Sequence, residues 1–335
     1  MTDSTPPTLE AVAARAGVSR STVSRVVNAS PKVTPEVVAI VTAAIAELGY
    51  VPNRAARMLA SRRTQAIALV IPENTALFFS DPFFATVIQG VAMRLGRTEY
   101  TLSLVIASED DPDKTRRYLQ GGNLDGALIL SHHRNDRSYL SLAGELPVVF
   151  GGRPMSNEGD DLYVIDVDNV GAAQVGVRHL LSSGRRRIAH IAGRTDMAAG
   201  IDRQQGWRDT LAAAGLEADL LEVGDFTVTG GMAAMERLLD RAPDLDAVFA
   251  ASDQMASGAT TVLRERGIAV PGQVAVVGVD DNAYALSSIP HLTTVAQPSV
   301  EFGAAMAETL VRLIEGEDVA RLTLMPTRLV VRESA

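Results

Sequence analysis

The chain has 335 residues and no cysteine, which excludes disulfides, thiol nucleophiles and thiolate metal sites and fits a reducing compartment. Hydrophobic residues make up 47% and aromatics only 4%, so large cores of Ala, Val, Leu and Ile are expected over two or three domains. The net charge of −9 argues against a nucleic-acid partner until its distribution is read: residues 1–63 hold eight basic and four acidic side chains, a net of +4, which leaves −13 for the rest.

A basic head on an acidic body can still bind DNA, because phosphate attraction is screened within about 8 Å at physiological salt. The start, M-T-D-S-T-P-P, lacks a basic segment followed by an apolar run, and no apolar run reaches membrane-spanning length. A cytoplasmic protein without membrane contact is expected.

Residues 8–28 predict two short helices joined by a tight turn. Leu9, Val12, Ala13 and Ala16 recur at helical spacing, Thr8 can cap the start, and Gly17 supplies the permissive backbone of the turn. Ser19 can cap a second helix in which Val23, Val26 and Val27 face inward. Arg20, Ser21, Thr22, Ser24 and Arg25 are left outside. Such a face suits a DNA major groove, since Arg can bind guanine edges and hydroxyls can bind phosphates or bases. Thr34-Pro35-Glu36 opens a third helix that Gly49 ends, completing a head of about 50 residues. Asn53 can cap a further helix, R-A-A-R-M-L-A, of about two turns, too short to be stable alone.

From Thr64 apolar strands alternate with amphipathic helices. The strands are A-I-A-L-V-I, T-L-S-L-V-I, G-A-L-I-L, P-V-V-F, Y-V-I-D-V, I-A-H-I-A, L-L-E-V, A-V-F-A and V-A-V-V-G-V. Helices are expected at 82–96, 114–119, 169–183, 203–214, 231–239, 253–266 and 298–315. This pattern predicts an α/β body of two doubly wound lobes of parallel sheet, with a ligand crevice at the strand C-terminal ends and between the lobes. The break is expected near Asp166 to Asp168, and the last helix and the strands beside it should cross back to the first lobe. His132 and His133 follow G-A-L-I-L. Adjacent residues of a strand point to opposite sides, so a loop or pocket-rim role is expected and not metal ligation.

These residues resemble the LacI/GalR family of bacterial transcription regulators over nearly the whole chain. The motifs that carry the resemblance are V-A-x-x-A-G-V-S-x-x-T-V-S-R-V-x-N from Val12, L-G-Y-x-P-N-R-A-A-R-x-L from Leu48, D-P-F-F from Asp81, R-x-x-G-W from Arg203, S-D-Q-M-A-x-G from Ser252, V-G-V-D-D from Val277 and L-T-T-V-x-Q-P from Leu292. The resemblance implies a helix-turn-helix headpiece over 1–49 and a hinge helix and linker over 50–63. The body, 64–335, would resemble a periplasmic binding protein and carry effector binding and dimerisation. Its first lobe would comprise about 64–166 plus 296–324, its second about 167–295 plus 325–335.

It implies further that Arg20 and Ser21 occupy variable base-reading positions, that Arg25 is a shared base or phosphate contact, and that Thr22, Ser24 and Asn28 position the backbone; Thr8 and Ser19 are expected in the DNA-binding set as well. Asn53 and Arg54 would face DNA with the hinge segment, and Leu59 matches a leucine that wedges between base steps in the minor groove. A glutamine is frequent in relatives where Ser21 stands, so the operator sequence does not carry over; Arg20 favours guanine. In the body, Arg203 would bond the effector's polar groups, Asp280 would accept from hydroxyls, and Phe83, Phe84 and Phe226 would supply apolar or stacking faces. Ser252, Asp253 and Gln297 would line the cleft, with Ser252 departing from the asparagine of many relatives.

A carboxylate and a guanidinium facing aromatics suit a neutral polyol, so a sugar is the favoured effector. A purine or nucleoside acting as corepressor is the alternative; a stand-alone sugar-binding protein is another. No cofactor, metal or catalytic constellation is expected, since G-x-S-x-G, G-x-G-x-x-G, G-x-x-x-x-G-K and H-E-x-x-H are all absent. The expected assembly is a homodimer on a pseudo-palindromic operator, released by an inducer.

Overall fold

The computed structural model describes residues 7–27, 30, 32–51, 63–107, 112–134, 137–155 and 161–335. The chain divides into two compact units, Met1–Gln65 and Ala66–Ala335.

The first unit contains α1 (Leu9–Ala16), α2 (Arg20–Val27) and α3 (Pro35–Leu48). Val12, Ala13, Val23, Val41, Ala44 and Tyr50 form its core. Thr8 caps α1, its side chain accepting from Ala11 N–H at 3.2 Å, and Gly17 ends it at φ +66°. Ser19 Oγ accepts from Thr22 N–H at 3.1 Å and so caps α2. Thr34 corrects an expectation: its side chain makes no cap bond, and α3 starts on Pro35 and Glu36 instead. Proline needs no N–H partner there, and an acid suits the positive helix end.

The second unit carries two six-stranded sheets. β1 (Ala66–Ile71), β2 (Thr101–Ile106), β3 (Gly126–Leu130), β4 (Val148–Gly151), β5 (Tyr163–Val167) and β11 (Leu322–Met325) form the first, in the order β11-β5-β4-β3-β1-β2, all parallel. The second contains β6 (Ile188–Ala192), β7 (Leu221–Val223), β8 (Ala247–Ala250), β9 (Ala275–Asp280), β10 (Thr293–Ala296) and β12 (Arg328–Val330), in the order β12-β10-β9-β8-β6-β7. Only its edge strand β12 runs antiparallel.

Helices cover both faces of each sheet, which is why β3, β4, β6 and β8 are buried along their whole length. In the first lobe α4 (Thr75–Ser80), α5 (Pro82–Leu95) and α13 (Ser299–Ile314) lie on one face; α6 (Pro112–Gln120) and α7 (Arg137–Leu142) lie on the other. In the second, α8 (Asn169–Ser182) and α9 (Ala198–Ala213) face α10 (Val228–Arg241) and α11 (Asp253–Glu265) across the sheet, and the short α12 (Ala283–Ser287) packs on α11. The chain passes between lobes after β5, after β10 and between β11 and β12.

Two helices depart from their expected starts. Helix α9 begins at Ala198, five residues before the predicted 203, although Met197 offers no side-chain cap. Helix α10 begins at Val228, capped by Thr227, whose hydroxyl accepts from Gly230 N–H at 3.0 Å. Among the described residues no helix is long and apolar enough to cross a membrane.

Candidate DNA-reading head and effector cleft

On the headpiece, Arg20, Ser21 and Arg25 are exposed on α2, whereas Thr22 and Ser24 are half-buried beside the core residue Val23. The Ser19 hydroxyl lies 2.8 Å from both the Ser21 and the Thr22 hydroxyls, so three small donors cluster at the start of α2, where the helix dipole favours an anion such as a phosphate. Arg20 Nε stands 3.0 Å from Glu10 on α1. A pair this exposed is a weak restraint and leaves the guanidinium available to a base edge. Asn28, Asn53, Arg54 and Leu59, expected to contact DNA, lie outside the described residues.

In the body, a cleft lies where the strand C-termini of the two sheets face each other. Phe83, Phe84, Arg203, Phe226, Ser252, Asp280 and Gln297, all expected there, line it together. The eighth expected residue, Asp253, does not. Its carboxylate turns inward, accepting from Thr294 Oγ1 at 2.6 Å and Asn282 N–H at 3.1 Å, and no part of it is exposed. Burial, with the charge of Asp280 beside it, pushes its pKa well above the ordinary carboxylate value. Asp253 therefore fixes the β9 and β10 ends that carry Asp280; it is not positioned to touch a ligand.

Arg203 lies on the second turn of α9 and is almost fully buried. Its Nε donates to Asn169 Oδ1 at 3.0 Å and its Nη1 to Ala251 O at 2.5 Å. Burial lowers its pKa, and Asp280, Asp166, Asp253 and Asp202 oppose that shift. Asn169 is held in turn by Asp166, whose Oδ1 it reaches at 3.3 Å. Asp202, next to Arg203 in the chain, takes both oxygens to Arg153 Nη2 of the first lobe, at 2.7 and 2.8 Å.

Asp280 ends β9 at φ +122°, and Gln297 Nε2 donates to its Oδ1. Burial pushes its pKa up to about 7, against the pull of Arg203. Across the cleft, Asp81 caps α5 by accepting from Phe83 N–H at 2.9 Å, and burial raises it to about 6. Three of the five described non-glycine residues at positive φ (Ser131, Phe226 and Asp280) line the cavity, and a fourth, Asp281, adjoins it. Strain of this kind persists only where surrounding structure enforces it, and it concentrates at binding sites.

Phe83 packs edge-on to Phe84 at 5.7 Å and tilts towards Phe302 at 6.4 Å, making an apolar wall with Phe226 on the other lobe. Phe84 belongs more to the core than to the wall, being 3% exposed. Ser252 caps α11 by accepting from Met255 N–H at 3.3 Å, which leaves its own O–H to donate.

Sequence reasoning gave no role to Glu73, Asp81, Ser131, Arg153, Asp166 or Asn169, which also line the cleft. All but Asp81 stand within a few residues of the C-terminal end of β1, β3, β4 or β5, so the strand-end rule applied to each strand would have found them. His132 lines the cavity, and His133 is buried behind it against Glu73.

Comparison with known proteins accords with this division. Residues 8–53 match the family model described as bacterial regulatory proteins, lacI family, and residues 177–335 match a periplasmic binding protein-like domain. The chain is 48% identical to the HTH-type transcriptional regulator CelR of Thermobifida fusca over 98% of both chains. It is 31% identical to the HTH-type transcriptional regulator GalR of Escherichia coli, over 97% of this chain and 94% of that one. Among solved structures, it resembles a CelR–cellobiose complex with a TM-score of 0.79 at 45% identity, covering 98% of this chain and all of that one. It also resembles a lac repressor dimer bound to operator and an anti-inducer, with a TM-score of 0.86 at 26% identity over 98% and 99% of the two chains. The chain belongs to the LacI/GalR family of bacterial transcription regulators, with a helix-turn-helix head that reads DNA and a two-lobed body that binds an effector.

Proposed function

We propose that the protein is a homodimeric repressor released from a pseudo-palindromic operator by a β-linked glucose disaccharide of the cellobiose type. The single observation that carries the ligand class is the pairing in one cleft of buried Arg203 with the hydroxyl acceptors Asp280 and Asp166, beside the aromatic wall of Phe83 and Phe302. A sugar hydroxyl both donates and accepts, so it satisfies carboxylates and guanidinium together, while its C–H faces pack on aromatic rings. The cellobiose bound to the similar CelR points to the disaccharide.

Effector binding at the lobe interface changes how the lobes close, which moves the first lobes of the dimer and with them the headpieces. The coupling is reciprocal: operator DNA weakens sugar binding by the factor by which sugar weakens operator binding. Titration of the full chain with cellobiose, glucose and a purine, each followed by a mobility shift on operator selected from random duplexes, tests the reading. Cellobiose should bind and release the operator. A cellobiose-tightened operator complex would overturn the inducer sign, and binding of the purine alone would overturn the ligand class.

A further inference from the structure

On one side of the cleft the segment after β3 reaches the connection between β6 and α9. Arg134 N–H donates to Asp196 O at 2.9 Å, and His133 Nδ1 stands 3.2 Å from Asp196 Oδ2. The other ring nitrogen, Nε2, lies 2.9 Å from Glu73 Oε1, which also accepts from Ser131 Oγ at 2.8 Å. Glu73, Ser131 and His133 are each more than nine-tenths buried, and Glu73 and Ser131 line the cavity. One imidazole thus hydrogen-bonds a cleft-lining carboxylate of the first lobe and stands at ion-pair distance from a carboxylate of the second. Both ring nitrogens can donate only when the imidazole is protonated; a neutral ring must turn a lone pair towards one of the two carboxylates.

We infer that His133 is a proton-dependent clasp between the lobes that positions Glu73 for effector recognition, so that closure on the effector takes up a proton. The inference rests on the reading of the cleft as the effector site. The charged groups facing His133 are Glu73 from the β1–α4 connection and Asp196 and Arg194 from the β6–α9 connection; Arg194 is itself paired with Asp196 at 2.9 Å. Burial works against the imidazolium. The hydrogen bond and charge of Glu73, with the charge of Asp196, outweigh burial and Arg194 and hold His133 above its ordinary value of 6.5. When the lobes part, Asp196 leaves and that value falls. The closed form therefore holds the proton more tightly. Its advantage is full below the open-form value and is lost as pH rises through the raised one. Effector affinity falls over the same window.

Two measurements on the full chain test the clasp. In an NMR titration of histidine-labelled protein, the His133 signal, assigned by its loss in His133→Gln, should titrate above 6.5, and Asp196→Asn should lower it. Cellobiose affinity measured by calorimetry should weaken about three- to tenfold from about pH 6 to about pH 9 in the wild type. Both variants should flatten that profile while retaining binding at high pH. Asp81 and Asp280 also titrate in the cleft, so the reading is the difference between wild type and variant. If His133→Gln does not fold, Asp196→Asn, on a partly exposed residue, carries the test. A His133 midpoint at or below 6.5, or an unchanged pH profile in Asp196→Asn, overturns the clasp. If cellobiose binds at no pH while His133 titrates high and drops in Asp196→Asn, the sugar assignment fails and the clasp stands. If cellobiose binds with an unaltered profile in the variants, the clasp fails and the assignment stands.

Discussion

Asp280 combines a backbone at φ +122° with a carboxyl raised to about 7 by burial. An acid raised on folding costs stability: the cost is absent below its unfolded value near 4 and is complete above about 7. Asp280→Asn removes that cost, so the variant should melt a few degrees above the wild type at pH 8, with the two curves converging near pH 4. The same change should weaken cellobiose about 10- to 100-fold, because a charged acceptor is lost. Thermal scans across pH and sugar titrations check the two halves. His190 on β6 shows the opposite sign. It is fully buried, stacked between Phe249 at 5.2 Å and the single tryptophan, Trp207, at 5.4 Å, with Nδ1 2.8 Å from Phe249 O. Burial lowers its pKa to about 4. Its contribution is therefore full above 6.5 and is lost as pH falls towards 4, roughly 3 kcal/mol in all. His190→Phe keeps the ring stack and loses the hydrogen bond. In urea unfolding followed by circular dichroism it should be less stable than wild type at pH 7, with a shallower loss between pH 6.5 and pH 4.

Among the elements, α5 and α13 pack with their backbones in contact. A Cβ on Gly90 would fall on the Val300 carbonyl, and one on Gly303 on the Val87 carbonyl. Neither backbone can yield without moving a helix that carries cleft residues, Phe83 and Phe84 on α5 and Phe302 on α13. Gly90→Val should destabilise the body by about 1–3 kcal/mol or more and weaken sugar binding, measurable by urea unfolding and titration. An α5 displaced without loss of sugar affinity would show that the aromatic wall is dispensable. Helix starts were the least legible elements. Met197 gives no cap signal, so the first turn of α9 was invisible and Arg203 was expected at the helix start. The Asp280–Gln297 pair joins residues 17 apart, which no local pattern encodes.

For the whole molecule, the head and body are separate units, and their charges are of opposite sign. Deleting residues 1–63 should abolish operator binding and leave cellobiose affinity within about twofold, checked by mobility shift and calorimetry. Loss of sugar binding in the fragment would mean that the head contributes to the effector site. Because the head is basic, operator affinity of the full chain should also fall steeply with salt.

The sequence by itself determined the periodicities, and through them the fold class. Runs such as G-A-L-I-L and I-A-H-I-A are apolar throughout because both sheet faces are covered, and Gly17 marks the turn of the head because that turn needs a left-handed residue. Motif order brought seven of the eight expected effector residues to one cleft. Only the tertiary structure decided the rest. The family resemblance implies that Asp253 lines the cleft, but hydrogen bonds from Thr294 and Asn282, distant in the chain, turn it inward. Arg203 is charged and buried because Asn169 and Asp166 at the end of β5 and Asp280 at the end of β9 converge on it from two chain segments. The Glu73–His133–Asp196 bridge exists because two sheets place their strand ends face to face. Local sequence carries periodicity and caps; the sign and depth of a charge's surroundings are set by segments that meet only after folding.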